Sequence, residues 1–96
     1  MADRRLQVFT TVARLLSFTK AAETLHMTQP AVTFQIRQLE EYFNARLFDR
    51  THNRITLTET GELVQTYADQ IIEKYKEMDK VKKKQIGKTS GYMVLY

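Results

Sequence analysis

The sequence predicts a mainly α fold: three short helices and a small β-hairpin, followed by one long helix. Three observations carry it. Apolar residues recur at helical spacing through most of the first 43 positions, two short strand-like runs flank Thr51, His52 and Asn53, and beyond Thr58 an apolar residue returns every three or four positions as far as Met78.

In the first helix Leu6, Phe9, Ala13 and Leu16 repeat at three, four and three, Val12 and Leu15 widen the stripe, and Asp3 suits the positive end of the helix dipole. Ser17 is expected to end this helix. Arg4 and Arg5 either reach a phosphate from its start or stand solvated. The second helix spans 20–26, with Thr19 as its cap, Phe18 packed beside the cap as a hydrophobic staple, and Ala21, Ala22 and Leu25 facing a neighbour. Small alanines suit a close helix crossing. Lys20, in the first turn, opposes the local dipole; a nearby phosphate would remove that penalty, and the alternative is plain exposure.

Thr28 can cap a third helix, because its hydroxyl accepts from a first-turn amide, and Pro30 is tolerated only where no intrahelical donor is required. Val32, Ile36, Leu39 and Phe43 then recur at four, three and four and form the core face. The opposite side carries Pro30, Phe34, Arg37 and Glu41, with Gln29 and Thr33 on its flank. Two helices joined by about three residues, with an outward polar face on the second, match the helix-turn-helix, whose second helix enters a DNA major groove. On that reading Thr28, Gln29, Pro30, Thr33, Phe34 and Arg37 face the groove. Gln can bond adenine with both amide groups, Arg can reach guanine or phosphate, and Thr, Pro and Phe can pack on thymine methyls. The alternative for Phe34 is a core residue at the helix edge.

Asn44 can end this helix in the left-handed conformation. Residues 47–50 and 54–57 read as two strands, a hairpin with Ile55 and Leu57 on one face and Arg54 and Thr56 on the other, so that Arg54 stands away from the domain. Thr58 caps the last helix, and Glu59 favours its first turn. Gly61 costs helix stability, and close packing of its backbone against the domain is the expected use. Val64, Ala68, Ile71, Tyr75 and Met78 then alternate four and three, a heptad-like seam broadened by Leu63, Tyr67 and Ile72. A helix from Thr58 to about Gln85 would be roughly 40 Å long. So small a domain cannot cover it, and a second copy running antiparallel is the simplest partner. Folded back on its own domain, the helix could cover Leu63 and Tyr67 but not Met78. Lys80, Lys82, Lys83, Lys84 and Lys88 form a basic helix end, Gly87 stops the helix, and 88–91 reads as a hinge before an apolar stub at 92–96.

The run FTKAAETLHMTQPAVT at 18–33, then Ile36, Leu39 and Glu40, LFDR at 47–50 and LTETG at 57–61, closely resembles the N-terminal domain of LysR-type bacterial transcriptional regulators. The likeness extends from about Leu6 into the eighties. It implies a winged helix-turn-helix at 1–57, a linker and dimerisation helix at 58–86, and at 87–96 a hinge and the first residues of an effector-binding domain. It also implies that the hairpin is a wing in the minor groove, where an inserted arginine reads groove width and negative potential. Arg54 is then the leading contact, followed by Arg50, with His52 on phosphate; for Arg50 the alternative is an ion pair with Asp49 or a neighbour. Two positions depart from the family's habit: Phe34, where arginine or methionine is usual, and Asn53, where a basic residue is common. The first points to apolar readout.

Ninety-six residues suit one small domain, and a formal charge of +4 is compatible with a polyanionic partner. With no cysteine, disulfides and thiolate metal sites are excluded. No apolar run approaches membrane-spanning length and the N-terminus lacks a signal-peptide core, so the cytoplasm is the default. Neither His26 nor His52 has a nucleophile, metal-ligand or phosphate-loop pattern around it, so no catalysis and no cofactor are expected. The expected partners are double-stranded DNA and a second copy of the chain, with higher oligomers open to a full-length parent, no membrane, and no small-molecule effector at these residues. A winged helix that binds protein instead would show an acidic or apolar outward face on its third helix. Gln29, Thr33 and Arg37 argue against that; Phe34 and Glu41 argue for it.

Overall fold

The computed structural model describes residues 4–88, with side chains through Val81. The order is α1 (Arg4–Leu15), α2 (Phe18–Leu25), α3 (Gln29–Phe43), β1 (Phe48–Thr51), β2 (Arg54–Leu57) and α4 (Glu59–Lys88). Asp3 and 89–96, including the stub at 92–96 and most of the proposed hinge, lie outside the described residues.

Helix α1 is the centre of the domain, packing against α2, α3 and α4. That is why burial runs from Val8 through Ala13 instead of along one stripe. The two threonines inside this run are satisfied locally, since the Thr10 and Thr11 hydroxyls donate to the Gln7 carbonyl at 3.1 and 2.8 Å. The stripe read from sequence overshoots at its end. Leu16 turns into the left-handed region at φ 50° and is 45% exposed, and Leu15 is exposed as well. With the helix closing at Leu15, the i+3 rule no longer places Leu16 beside Ala13.

Ser17 does not end α1; it caps α2, its hydroxyl accepting from the Lys20 amide at 3.0 Å. Thr19 is therefore inside the helix rather than at its cap. Phe18 is no peripheral staple but a buried core residue, edge-on to Phe48 at 5.8 Å, and Phe48 in turn meets Phe9 at 5.4 Å. Thr28 caps α3 through the Ala31 amide at 3.2 Å, and Asn44 closes it in the left-handed region. Val32, Ile36 and Leu39 are buried as expected, while Phe43 at the helix end stays 39% exposed.

The hairpin is one residue tighter than the sequence reading. Thr51 pairs with Arg54, leaving His52 and Asn53 as a two-residue turn, both at positive φ, as the primed turns that suit strand twist require. Leu47 is the hub beneath it: its amide donates to Glu40 Oε2 at 3.0 Å and its carbonyl accepts from the Thr58 amide at 3.1 Å. Thr58 also caps α4, accepting from the Gly61 amide at 2.9 Å. Gly61 has the expected use, because a Cβ there would collide with the Leu47 carbonyl oxygen and come within 2.9 Å of Leu57 Cδ2.

Helix α4 runs past Gly87 to Lys88. A lone glycine weakens a helix by about 1 kcal/mol relative to alanine without breaking it. Its first two core-facing positions correct the seam: Val64 is 8% and Ala68 1% exposed, both within the protomer's own core, whereas Leu63 and Tyr67 face solvent. The domain thus covers the opposite pair from the one anticipated for a folded-back helix. Contact with α1 selects the Val64/Ala68 side.

Candidate nucleic-acid interface

One face of the domain collects most of the residues singled out from sequence. Along α3, Gln29, Pro30, Phe34 and Arg37 are exposed and Thr33 is half-exposed. Phe34 is 58% exposed, so it is not a core residue at the helix edge. Thr28 lies at the cap, and the Thr19 hydroxyl donates to Gln29 Oε1 at 3.3 Å, tying the start of α2 to the start of α3. Thr19 is not the cap expected from sequence, and its side chain supports Gln29 instead.

Between α3 and the hairpin lies an open cleft of about 520 Å³, with Gln29, Thr33 and Arg37 on one wall and Arg46 and Arg50 on the other. Its floor includes Phe18, Ile36 and Phe48. Arg50 lies on the Phe48 side of β1 with its guanidinium 4.6 Å from the Phe18 ring centroid. That cation–π stack, not an ion pair with Asp49, is what holds it. Arg54 stands exposed at the first position of β2 and borders a neighbouring depression shared with Ser17 and Thr19 at the start of α2. His52 is exposed at the turn tip, and Lys20 is exposed on α2.

Two candidates fall elsewhere. Arg5 is half-buried beside Leu39, Tyr42 and Phe43, at the far end of α3 from Gln29, and Arg4 donates to Gln7 Oε1 at 3.3 Å. Arg46 carries no signal in the sequence, because it falls in the four-residue connection before β1, where periodicity carries no information. Both histidines occupy left-handed turn positions, His26 closing α2 and His52 in the hairpin. Among the described residues no three acidic, histidine or cysteine side chains gather as metal ligands, and no helix is long and apolar enough to cross a membrane.

A second surface forms on the outer half of α4, where Tyr67, Ile71, Tyr75 and Met78 line a shallow apolar depression. Sequence spacing groups Ile71 and Met78 in one seam with Val64 and Ala68; the structure separates these pairs, giving one to the core and the other to solvent.

A three-helix core whose third helix is displayed beside a two-stranded hairpin defines a winged helix-turn-helix. The profile of the bacterial regulatory helix-turn-helix proteins of the LysR family matches residues 4–62, and the chain belongs to that family. Among solved structures, it is similar to the BenM DNA-binding domain complexed with catB site 1 DNA, at 31% identity and TM-score 0.83, over 90% of this chain and 96% of that one. It is similar also to the CbnR DNA-binding domain in a DNA complex, at 30% identity and TM-score 0.80, over 90% and 99% of the two chains. Full-length OxyR from Pseudomonas aeruginosa matches at 27% identity and TM-score 0.79, with 93% of this chain covering 30% of that one. A search of curated protein sequences returned no match.

Proposed function

We propose that these residues bind double-stranded DNA with sequence specificity, as the reading head of a LysR-type transcriptional regulator. The observation that carries it is the outward face of α3, where an amide, a guanidinium, small polar groups and one large uncovered aromatic stand together. Such a mixture suits the edges of base pairs, which offer donors, acceptors and thymine methyls side by side. The two neighbours solved with DNA support the reading. In it, α3 enters the major groove and the hairpin tip, with Arg54 leading and His52 beside it, approaches the adjoining minor groove. Residues 1–57 form the DNA-binding unit, 58–86 the linker and dimerisation helix, and 87–96 the passage to a further domain, in a protein that works in the cytoplasm.

The working unit is a homodimer on an inverted repeat, half-sites lying about one helical turn or a multiple of it apart. Its contact is the outer half of α4, through Ile71, Tyr75 and Met78 with Tyr67 replacing Val64 and Ala68. Three of these are large side chains left in water, and burying them against a second α4 removes that cost.

Fluorescence anisotropy against an operator selected from a random duplex pool, and against a scrambled duplex, tests the proposal over a range of salt. The expected result is a preference of 10³ or more for the operator and affinity that falls steeply with salt. Absence of binding to either duplex at low salt would leave a protein-interaction module as the better description.

A further inference from the structure

A helix in the major groove and a hairpin in the next minor groove are separated by one sugar-phosphate strand, which must pass through the space between them. In this molecule that space is the cleft between α3 and β1. We propose that the cleft seats this strand, with Arg46 and Arg50 as its phosphate contacts; the inference rests on the DNA-binding reading above. It gives Arg46 a role and moves Arg50 from minor-groove reading to backbone positioning.

The charge and geometry of the cleft favour an anion. Arg37, Arg46 and Arg50 line it against the single carboxylate of Glu40, three positive charges to one negative and so a net +2. Glu40 is turned inward, its Oε2 accepting from the Leu47 amide at 3.0 Å and lying 3.8 Å from Arg46 Nε. Arg46 is held at its root and along its side chain. Its carbonyl accepts from the Thr58 hydroxyl at 2.6 Å and its Nη2 donates to the Phe48 carbonyl at 3.4 Å, while the side chain remains 69% exposed. Arg50 holds its guanidinium carbon over the Phe18 ring, and among the described residues its N–H groups have no hydrogen-bond or ion-pair partner. A guanidinium held over a ring or through one N–H still offers donors in the planar fork that matches phosphate oxygens. The apolar floor of Phe18, Ile36 and Phe48 offers no competing acceptor side chain. Contacts of this kind set register and add affinity without reading sequence.

The test compares wild type, Arg46→Gln and Arg46→Lys on the selected operator and the scrambled duplex across salt. Each lost phosphate contact should reduce the slope of log K against log salt by about 0.9, so a dimer of Arg46→Gln should be shallower by about 1.8 with its operator preference unchanged. Arg46→Lys should keep the wild-type slope, and Arg50→Gln should behave as Arg46→Gln does. A complementary measurement leaves the protein unaltered: a neutral methylphosphonate placed along the strand between the two contacted grooves should weaken wild type and leave Arg46→Gln unaffected at one position per half-site. An unchanged slope in Arg46→Gln, or a shallower one accompanied by lost operator preference, overturns the assignment while the DNA-binding reading stands. A wild-type chain that binds neither duplex overturns both.

Discussion

Helices α3 and α4 both leave large apolar side chains in solvent, and they do so in different company. On α3 the exposed Phe34 is surrounded by Pro30, Thr33 and Arg37, each with different chemistry. On the outer half of α4, Tyr67, Ile71 and Met78 are exposed beside Tyr75, along one side with helical spacing. A mixed face suits a partner whose own surface alternates donors, acceptors and methyls; a continuous apolar strip suits another strip like itself. On the proposed assignments, exposure alone does not separate a nucleic-acid surface from a protein surface, whereas the neighbours of the exposed residue do.

The largest effect should come from the α4 strip. Met78→Glu places a charge where the dimer would bury an apolar group, and should raise the dimer dissociation constant at least 100-fold, about 3 kcal/mol, in sedimentation equilibrium. Met78 is 57% exposed, so helical content should be unchanged. An unaltered dissociation constant would remove the strip from the interface. On α3, Gln29→Ala and Arg37→Ala should each cost about 1–3 kcal/mol on the operator and relax the preferred sequence. Equal losses on scrambled DNA would show that these side chains do not read bases.

Phe34→Ala should be gentler and more selective. If the ring covers a thymine methyl, replacing that thymine by deoxyuracil should weaken wild type about four-fold per half-site, equivalent to ~0.8 kcal/mol, and leave Phe34→Ala indifferent. The melting temperature of Phe34→Ala should stay near wild type because the ring packs on little of its own domain. If no uracil substitution matters, Phe34 does not read a methyl. Lys20→Ala should have the smallest effect, weakening operator and scrambled duplex alike and flattening the salt dependence.

The existence and order of every described element were legible in the sequence, and the caps explain why. Thr28, Asn44 and Thr58 are residues whose side chains or left-handed tolerance mark helix ends by local chemistry alone, and each occupies the expected role. The errors fall where two local signals compete or where tertiary contact decides. Ser17 and Thr19 are both good caps two residues apart, and the closure of α1 at Leu15 selects Ser17. Val64 and Ala68 continue the same periodicity as Ile71 and Met78, yet only contact with the domain distinguishes them. The outward face of α3 followed from helical spacing, so the candidate site was largely readable. Arg46 and the Phe18–Arg50 stack were not, because both depend on how a short connection folds the hairpin back over α2.

Because α4 carries Val64 and Ala68 into the core and Met78 into solvent on one unbroken helix, in the proposed dimer the angular phase of that helix would set how two reading heads face each other. Inserting a single residue after Asp69 would turn the outer strip by about 100° and advance it about 1.5 Å, whereas four residues would turn it only about 40° while advancing it about 6 Å. In the proposed dimer the helix would therefore act as a keyed shaft, the spacing and facing of the two half-sites being set by the number of residues between Ala68 and Ile71 as much as by the side chains on α3.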